Sequence, residues 1–228
     1  PTGEGTPQGG PLSPLLANLL LDELDQELEK RGHRFARYAD DANIYVRSRQ
    51  AGERVMARVR RVLERKLRLK VNATKSAVDR PWNRTFLGFT FTRRQSHRRQ
   101  VSKKALKAFQ AKGRELTGCT RGRTIRQIVQ ELRQLMLGWR AFFGFAEGRS
   151  PRRDLDKWIR RRLRSDHWKP WGRQGYRELR TRGVGRQLAW NTAQSAHGPW
   201  RLSQSPALAI ALSQRYFAAL GLPNLFEG

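Results

Sequence analysis

The sequence predicts an α+β fold: a short antiparallel β region packed by helices, followed by a basic, mostly α-helical region. Three observations carry this. Stretches with apolar residues at helical spacing flank short segments rich in β-formers over the first ninety residues or so. After Phe91 the β-formers thin out and long amphipathic patterns take over. The formal net charge is +28, from 47 Lys and Arg against 19 Asp and Glu in 228 residues. Self-repulsion at that charge makes a polyanion the first expectation, ahead of a merely solvated basic surface. Disorder is a poor fit, because 38% of residues are hydrophobic.

The first element expected is a loop, PTGEGTPQGGPLSP, whose Gly and Pro content excludes regular structure. Ser13 then offers an N-cap with Pro14 at the first helical position. Leu15, Leu16, Leu19, Leu20, Leu24 and Leu28 recur at helical spacing, and Gly32 ends the helix. HRFARYADDANIYVRS reads as two short strands hinged on Asp40 and Asp41. AGERVMARVRRVLERKL is a second amphipathic helix, with Val55, Val59, Val62, Leu63 and Leu67 on one face. LKVNATKSAV is a short turn-bearing strand. RTFLGFTF is a further strand pair or a bent strand, with Gly88 as the bend.

RRQSHRRQVSKK reads as a basic connector, and the division falls between Arg93 and Lys104. From Thr124 to Phe145, residues such as Ile128, Leu132, Met136, Trp139 and Phe143 form a wide apolar stripe whose default meaning is core. SPRRDLDKWIRRRLRSDHWK is an intensely basic helix. SPALAIALSQRYFAALGL is a last helix begun by a Ser-Pro cap. The single cysteine, Cys119, excludes an internal disulfide framework or a Cys-rich zinc site. No apolar run is long enough to span a membrane. A reducing cytoplasm, with the chain associated with nucleoid or ribonucleoprotein, is the expected location.

YADD poses the functional question. Asp is depleted in strands, and adjacent carboxylates repel each other. At a tight hairpin they project together and offer hard oxygen ligands to a divalent cation. Such a cation promotes phosphoryl transfer. The four residues also fit an ordinary Asp-rich turn equally well. The charge favours the metal reading, since a metal-dependent polymerase must also hold a nucleic-acid backbone.

The neighbouring segments resemble, in order and spacing, the palm of a reverse transcriptase, specifically that of the group II intron-encoded reverse transcriptase/maturases. TPQGGPLSPLLANLLLDELD is similar to the block before the catalytic hairpin, and FARYADDANIYV to the hairpin itself. LKVNATKSAV and FLGFTF are similar to the next block and to the primer grip. LRQLMLGWRAFF and the stretch from Arg177 to Leu208 resemble the thumb/maturase region and the extension C-terminal to it.

The resemblance implies a partial polymerase palm over 1–95, thumb/maturase helices over 96–150 and a basic C-terminal helical RNA- or DNA-binding extension over 151–228. It implies that Asp40 and Asp41 are the catalytic carboxylates and the ligands of Mg²⁺, or of Mn²⁺. Tyr38 would lie near the primer end, and Gln8 and Gly9 along template and nucleotide. Lys75 would meet the triphosphate, although a surface lysine is at least as good a reading. Leu87 and Gly88 would form the primer grip, a role compatible with core packing. A further catalytic Asp and the fingers lie upstream of the PQGG block in this family. They would come from an N-terminal segment or a second chain, and without them this chain is expected to be inactive alone.

In the basic helix and just beyond it, Lys157, Arg160, Arg161, Arg162, Arg164 and Lys169 are interleaved with Trp158, Trp168 and Trp171. Their density points to RNA contact for the cations. For Trp168 and Trp171, packing is the better single reading, with base stacking as the alternative. The resemblance implies intron RNA, a DNA target or primer, and dNTPs as partners. It implies assistance to splicing and RNA-templated DNA synthesis during retrohoming. Two other readings remain: a non-catalytic maturase-like splicing cofactor, and a basic DNA-binding or structural module in which YADD is incidental.

Overall fold

The computed structural model describes residues 12–93, 96–118 and 122–226. The expected loop with Gln8 and Gly9, and Cys119, lie outside the described residues. The chain divides into two compact units, Pro1–Phe86 and Leu87–Gly228. The architecture is α+β and mostly helical, with two small antiparallel sheets.

In the first unit, α1 (Ser13–Lys30) is followed by the hairpin β1 (Arg34–Tyr38) and β2 (Asp41–Tyr45), then α2 (Arg49–Arg61). α1 begins one residue earlier than expected, with Leu12 and not Ser13 at the N-cap, and Pro14 still falls in the first turn, where its missing N–H loses nothing. Helix α1 ends at Lys30, and Gly32 takes a left-handed φ of 67° just beyond. Ser48 caps α2 by accepting from the Ala51 amide at 3.2 Å. α2 runs on into a π-helical turn, Val62–Lys66, which Lys66 ties to Glu23 of α1 at 2.8 Å.

Leu24 and Leu28 of α1 are buried and share a small apolar contact zone with Val55, Val59 and Val62. The earlier leucines, Leu15, Leu16, Leu19 and Leu20, are exposed within this unit. The expected strand over LKVNATKSAV is absent among the described residues. The Asn72 carboxamide oxygen instead accepts from the amides of Thr74 and Lys75, both at 3.1 Å. That local turn competes with ladder pairing.

In the second unit, β3 (Phe89–Phe91) pairs with β4 (Arg99–Val101) in register Phe89 to Val101. The expected single palm sheet is thus two separate two-stranded sheets among the described residues. β4 lies inside the stretch expected as a basic connector, and the bend at Gly88 has φ 77°.

Helices α3 (Lys103–Thr117), α4 (Ile125–Phe143) and α5 (Arg149–Trp168) build the core. A capping box opens α4: Thr124 accepts from the Gln127 amide, and the Gln127 side chain accepts from the Thr124 amide. Its stripe of Val129, Leu132 and Met136 is fully buried. Ile159 and Leu163 of α5 are equally buried, and Gly113 of α3 allows Trp158 of α5 to approach, since a Cβ there would stand 2.9 Å from the ring.

A 3₁₀ segment and five short helices complete the chain: α6 (Gly175–Thr181), α7 (Arg186–Ala193), α8 (Pro199–Leu202), α9 (Pro206–Ala211) and α10 (Gln214–Ala219). The single helix expected from SPALAIALSQRYFAALGL is therefore two. Leu212 leaves helical geometry at φ −120°, ψ 61°, and Ser213 caps α10 by accepting from the Tyr216 amide. Leu208, Leu212, Phe217 and Leu225 complete the core. Side chains of α4 and α5 hold this tail by its backbone: Arg133 donates to the Gly221 carbonyl at 3.0 Å, Arg140 to that of Asn224 at 3.1 Å, and Arg164 to that of Leu212 at 3.0 Å.

Candidate active site

Strands β1 and β2 pair from Arg34–Tyr45 to Tyr38–Asp41, which leaves a two-residue turn of Ala39 and Asp40. So short a loop fixes the register, and the register fixes the faces. Tyr38 and Asp41 are directly opposed and share one face of the ribbon. Phe35 and Arg37 point to the other. Tyr38, Asp40 and Asp41 are all exposed, with Tyr38 at 64%. Ala39 adopts φ 52°, on the left-handed side that glycine prefers.

A charge on the apolar face of the ribbon needs a partner. Arg37 finds several on α1. Its Nε donates to both carboxylate oxygens of Asp25 at 2.9 Å, and Nη2 donates to Oδ2 at 2.6 Å. Nη1 donates to the Asn18 side-chain oxygen at 2.9 Å and back to the Ala39 carbonyl at 3.0 Å. Hydrogen bonding to Asp25 raises the Arg37 pKa above its ordinary value, against some desolvation. A groove of about 660 Å³ opens beside the hairpin, with Asp22, Asp25, Tyr38 and Ala39 in its lining. Sequence reasoning missed Asn18, Asp25 and Arg37. The signal was present, because Arg37 is two residues from Phe35 and so falls on the apolar face.

Asp40 and Asp41 supply hard carboxylate oxygens, the donor type that Mg²⁺ and Mn²⁺ take. Two carboxylates alone supply only part of the six oxygens of an octahedral shell. Among the described residues they are not joined by a third His, Cys, Asp or Glu in a group able to hold a metal.

Lys75 is exposed, in the turn organised by Asn72. Leu87 and Gly88 belong to the second unit. They take successive left-handed φ values of 50° and 77°, and a Cβ on Gly88 would stand 2.9 Å from the Phe143 ring. Phe89 stacks beside Phe142 and Phe143, at 5.9 and 5.1 Å between centroids.

The cations of the basic helix divide by environment. Arg160 is buried and paired with Asp156. Arg161 lies over the Trp200 ring at 3.9 Å and donates to the Trp200 carbonyl at 3.3 Å. Arg162 donates to the Thr117 hydroxyl at 2.6 Å. Arg164 bonds the Leu212 carbonyl, and burial lowers its pKa. Trp168 and Trp171 are buried, edge to face at 5.7 Å. Lys157 is exposed, and so is Lys169, which reaches Asp166 at 3.2 Å.

Comparison with protein families gives two matches in succession. Residues 1–91 match the family described as reverse transcriptase (RNA-dependent DNA polymerase). Residues 106–184 match the group II intron, maturase-specific domain. A search of curated proteins found no match. The first match contains the Asp40–Asp41 hairpin with its Arg37 anchor, and the second contains most of the α3–α5 core. The two matches, in this order along the chain, support a group II intron reverse transcriptase/maturase.

Proposed function

We propose that this chain contributes part of the catalytic palm and the RNA-binding maturase region of a group II intron reverse transcriptase. It would bind intron RNA, assist splicing and, in the complete protein, take part in RNA-templated DNA synthesis during retrohoming. One observation carries the reading: two exposed carboxylates at the tip of a tight, anchored hairpin, inside the segment that matches the reverse transcriptase family.

Asp40 and Asp41 would hold Mg²⁺ or Mn²⁺, which when bound supplies Lewis-acid activation of the primer 3′-hydroxyl and neutralises charge on the departing pyrophosphate. Tyr38, on the same face as Asp41, would lie against the primer end. Gln8 and Gly9 would run along template and nucleotide, and Lys75 would meet the triphosphate. Leu87 and Gly88 would grip the primer. A further palm Asp and the fingers would come from an N-terminal segment or a second chain. In the helical unit, exposed Lys157 and Lys169 would face phosphate. Arg161, Arg162 and Arg164 would shape the surface, with buried Arg160, Trp168 and Trp171 beneath it. Among the described residues no helix is long and apolar enough to cross a membrane. The proposed role with intron RNA would put the protein with its ribonucleoprotein, in the cytoplasm or nucleoid.

A second reading, a splicing cofactor that binds RNA without synthesis, rests on the maturase match lying in a unit with its own core. Primer extension on an RNA template by the complete protein separates the two. Asp40→Asn is expected to abolish extension while intron RNA affinity stays within about twofold, because one charge in +28 changes little of the pull on phosphate. Extension unaffected by Asp40→Asn would reject the catalytic reading.

A further inference from the structure

We propose that Arg37 and Asp25 are positioning residues for synthesis, holding the turn that presents Asp40 and Asp41. This rests on the proposed catalytic role of those two carboxylates.

Arg37 donates five hydrogen bonds to three residues, and one acceptor is unlike the rest. The Ala39 carbonyl, 3.0 Å from Nη1, belongs to the peptide plane whose nitrogen is the Asp40 amide. Fixing that oxygen fixes the rotation of the plane and therefore where the Asp40 Cα stands and which way its N–Cα bond points. The same guanidinium is locked to α1 by a fork on Asp25 and by Asn18. The hairpin tip is thereby referenced to an 18-residue helix rather than left to a two-residue turn. Ala39 needs such support, because φ 52° disfavours any residue with a Cβ.

Two facts argue against a direct electrostatic role. The Arg37 side chain leaves the ribbon on the face opposite Tyr38 and Asp41, and its charge is matched by Asp25 at 2.6 Å. The pair lines the groove beside the hairpin with side chains 14% and 19% exposed, and each charge is already met by the other. What the pair supplies is geometry. Lysine could keep the charge but not the fork and the turn contact together.

The test uses the complete reverse transcriptase with primer and RNA template, comparing Arg37→Lys, Asp25→Asn and Asp40→Asn. For Arg37→Lys we expect kcat to fall about 10–100-fold, as misplacement of reacting groups by about 1 Å does. The KM for dNTP should stay near wild type, and the Mg²⁺ concentration for half-maximal rate should rise several-fold. In parallel, Mn²⁺ titrated into the 228-residue chain should broaden the Asp40 and Asp41 amide NMR signals at lower concentration in wild type than in Arg37→Lys.

Unchanged kcat and metal requirement in Arg37→Lys and Asp25→Asn, with Asp40→Asn inactive, would overturn the positioning role alone. Loss of rate that merely tracks the unfolded fraction, and vanishes on cooling, would also overturn it. Activity in Asp40→Asn would instead overturn the catalytic reading beneath it.

Discussion

Asp156 accepts the backbone N–H of Leu225 at 3.3 Å, linking the middle of α5 to the end of the chain. Asp156 is only 1% exposed and also pairs with Arg160. A buried pair is not a strong stabiliser in itself, but breaking one leaves an uncompensated charge. Asp156→Ala is expected to destabilise the helical unit by about 3–5 kcal/mol. Urea unfolding followed by Trp fluorescence checks this. A loss under about 1 kcal/mol would show that the tail is held by its other contacts without Asp156.

His167 gives the helical unit a pH dependence. Burial, and then the Arg182 charge, push its pKa from 6.5 down to about 4, and its Nε2 lies 3.1 Å from the Tyr216 hydroxyl. The unfolded chain therefore takes up this proton at a higher pH than the folded chain. Stability from this group is full above about pH 6.5, falls as pH drops toward 4, and levels off below that. The part due to His167 is at most about 3 kcal/mol. His167→Gln should flatten the stability profile between those values. Raised by burial, the Asp166 pKa contributes in the opposite sense and persists in the variant.

Gly88→Ala is expected to lower stability by about 1–3 kcal/mol, since it combines a left-handed φ with a Cβ 2.9 Å from the Phe143 ring. Thermal unfolding measures it. A neutral result would mean that Phe143 moves aside.

Reversal of the exposed lysines should change RNA binding without unfolding the protein. Lys157→Glu and Lys169→Glu should each reduce the slope of log affinity against log salt by about 0.7–0.9. The matching change at Arg160 should act through stability, because that side chain is 7% exposed. Filter binding at four or five salt concentrations, with circular dichroism as the folding control, distinguishes these. Slopes unaltered by both lysine changes would move the RNA surface elsewhere.

Local signals in the sequence carried much of this fold. The apolar stripe read from Thr124 to Phe145 marked α4, which runs Ile125–Phe143, and YADD between β-formers marked the hairpin. Competing local chemistry hid the rest. Asn72 satisfies amides that a strand would use, and Ser213 restarts a helix where apolar spacing alone ran through. Strand β4 lies among arginines, in composition that reads as a connector.

At the site, the exposed carboxylates were visible because Asp in a strand conflicts with propensity. Arg37 was overlooked because a basic residue in so basic a chain attracts no notice. The arginine density of α5 suggested one surface, but density does not report direction. Asp156 and Arg160 at i and i+4 beside Leu155 and Ile159 were the clue that part of it faces inward.

The most direct test of the account is a single-turnover primer-extension assay on an RNA template. It would compare the 228-residue chain with the protein completed by fingers and the further palm Asp, each with and without Asp40→Asn. In the proposed mechanism two metals about 3.5–4 Å apart would hold the attacking and leaving oxygens, and Asp40 and Asp41 would approach them from one hairpin only. We predict no extension by the 228-residue chain, extension by the completed protein, and its abolition by Asp40→Asn with intron RNA still bound. Extension by the 228-residue chain alone, or by the completed Asp40→Asn protein, would contradict the account.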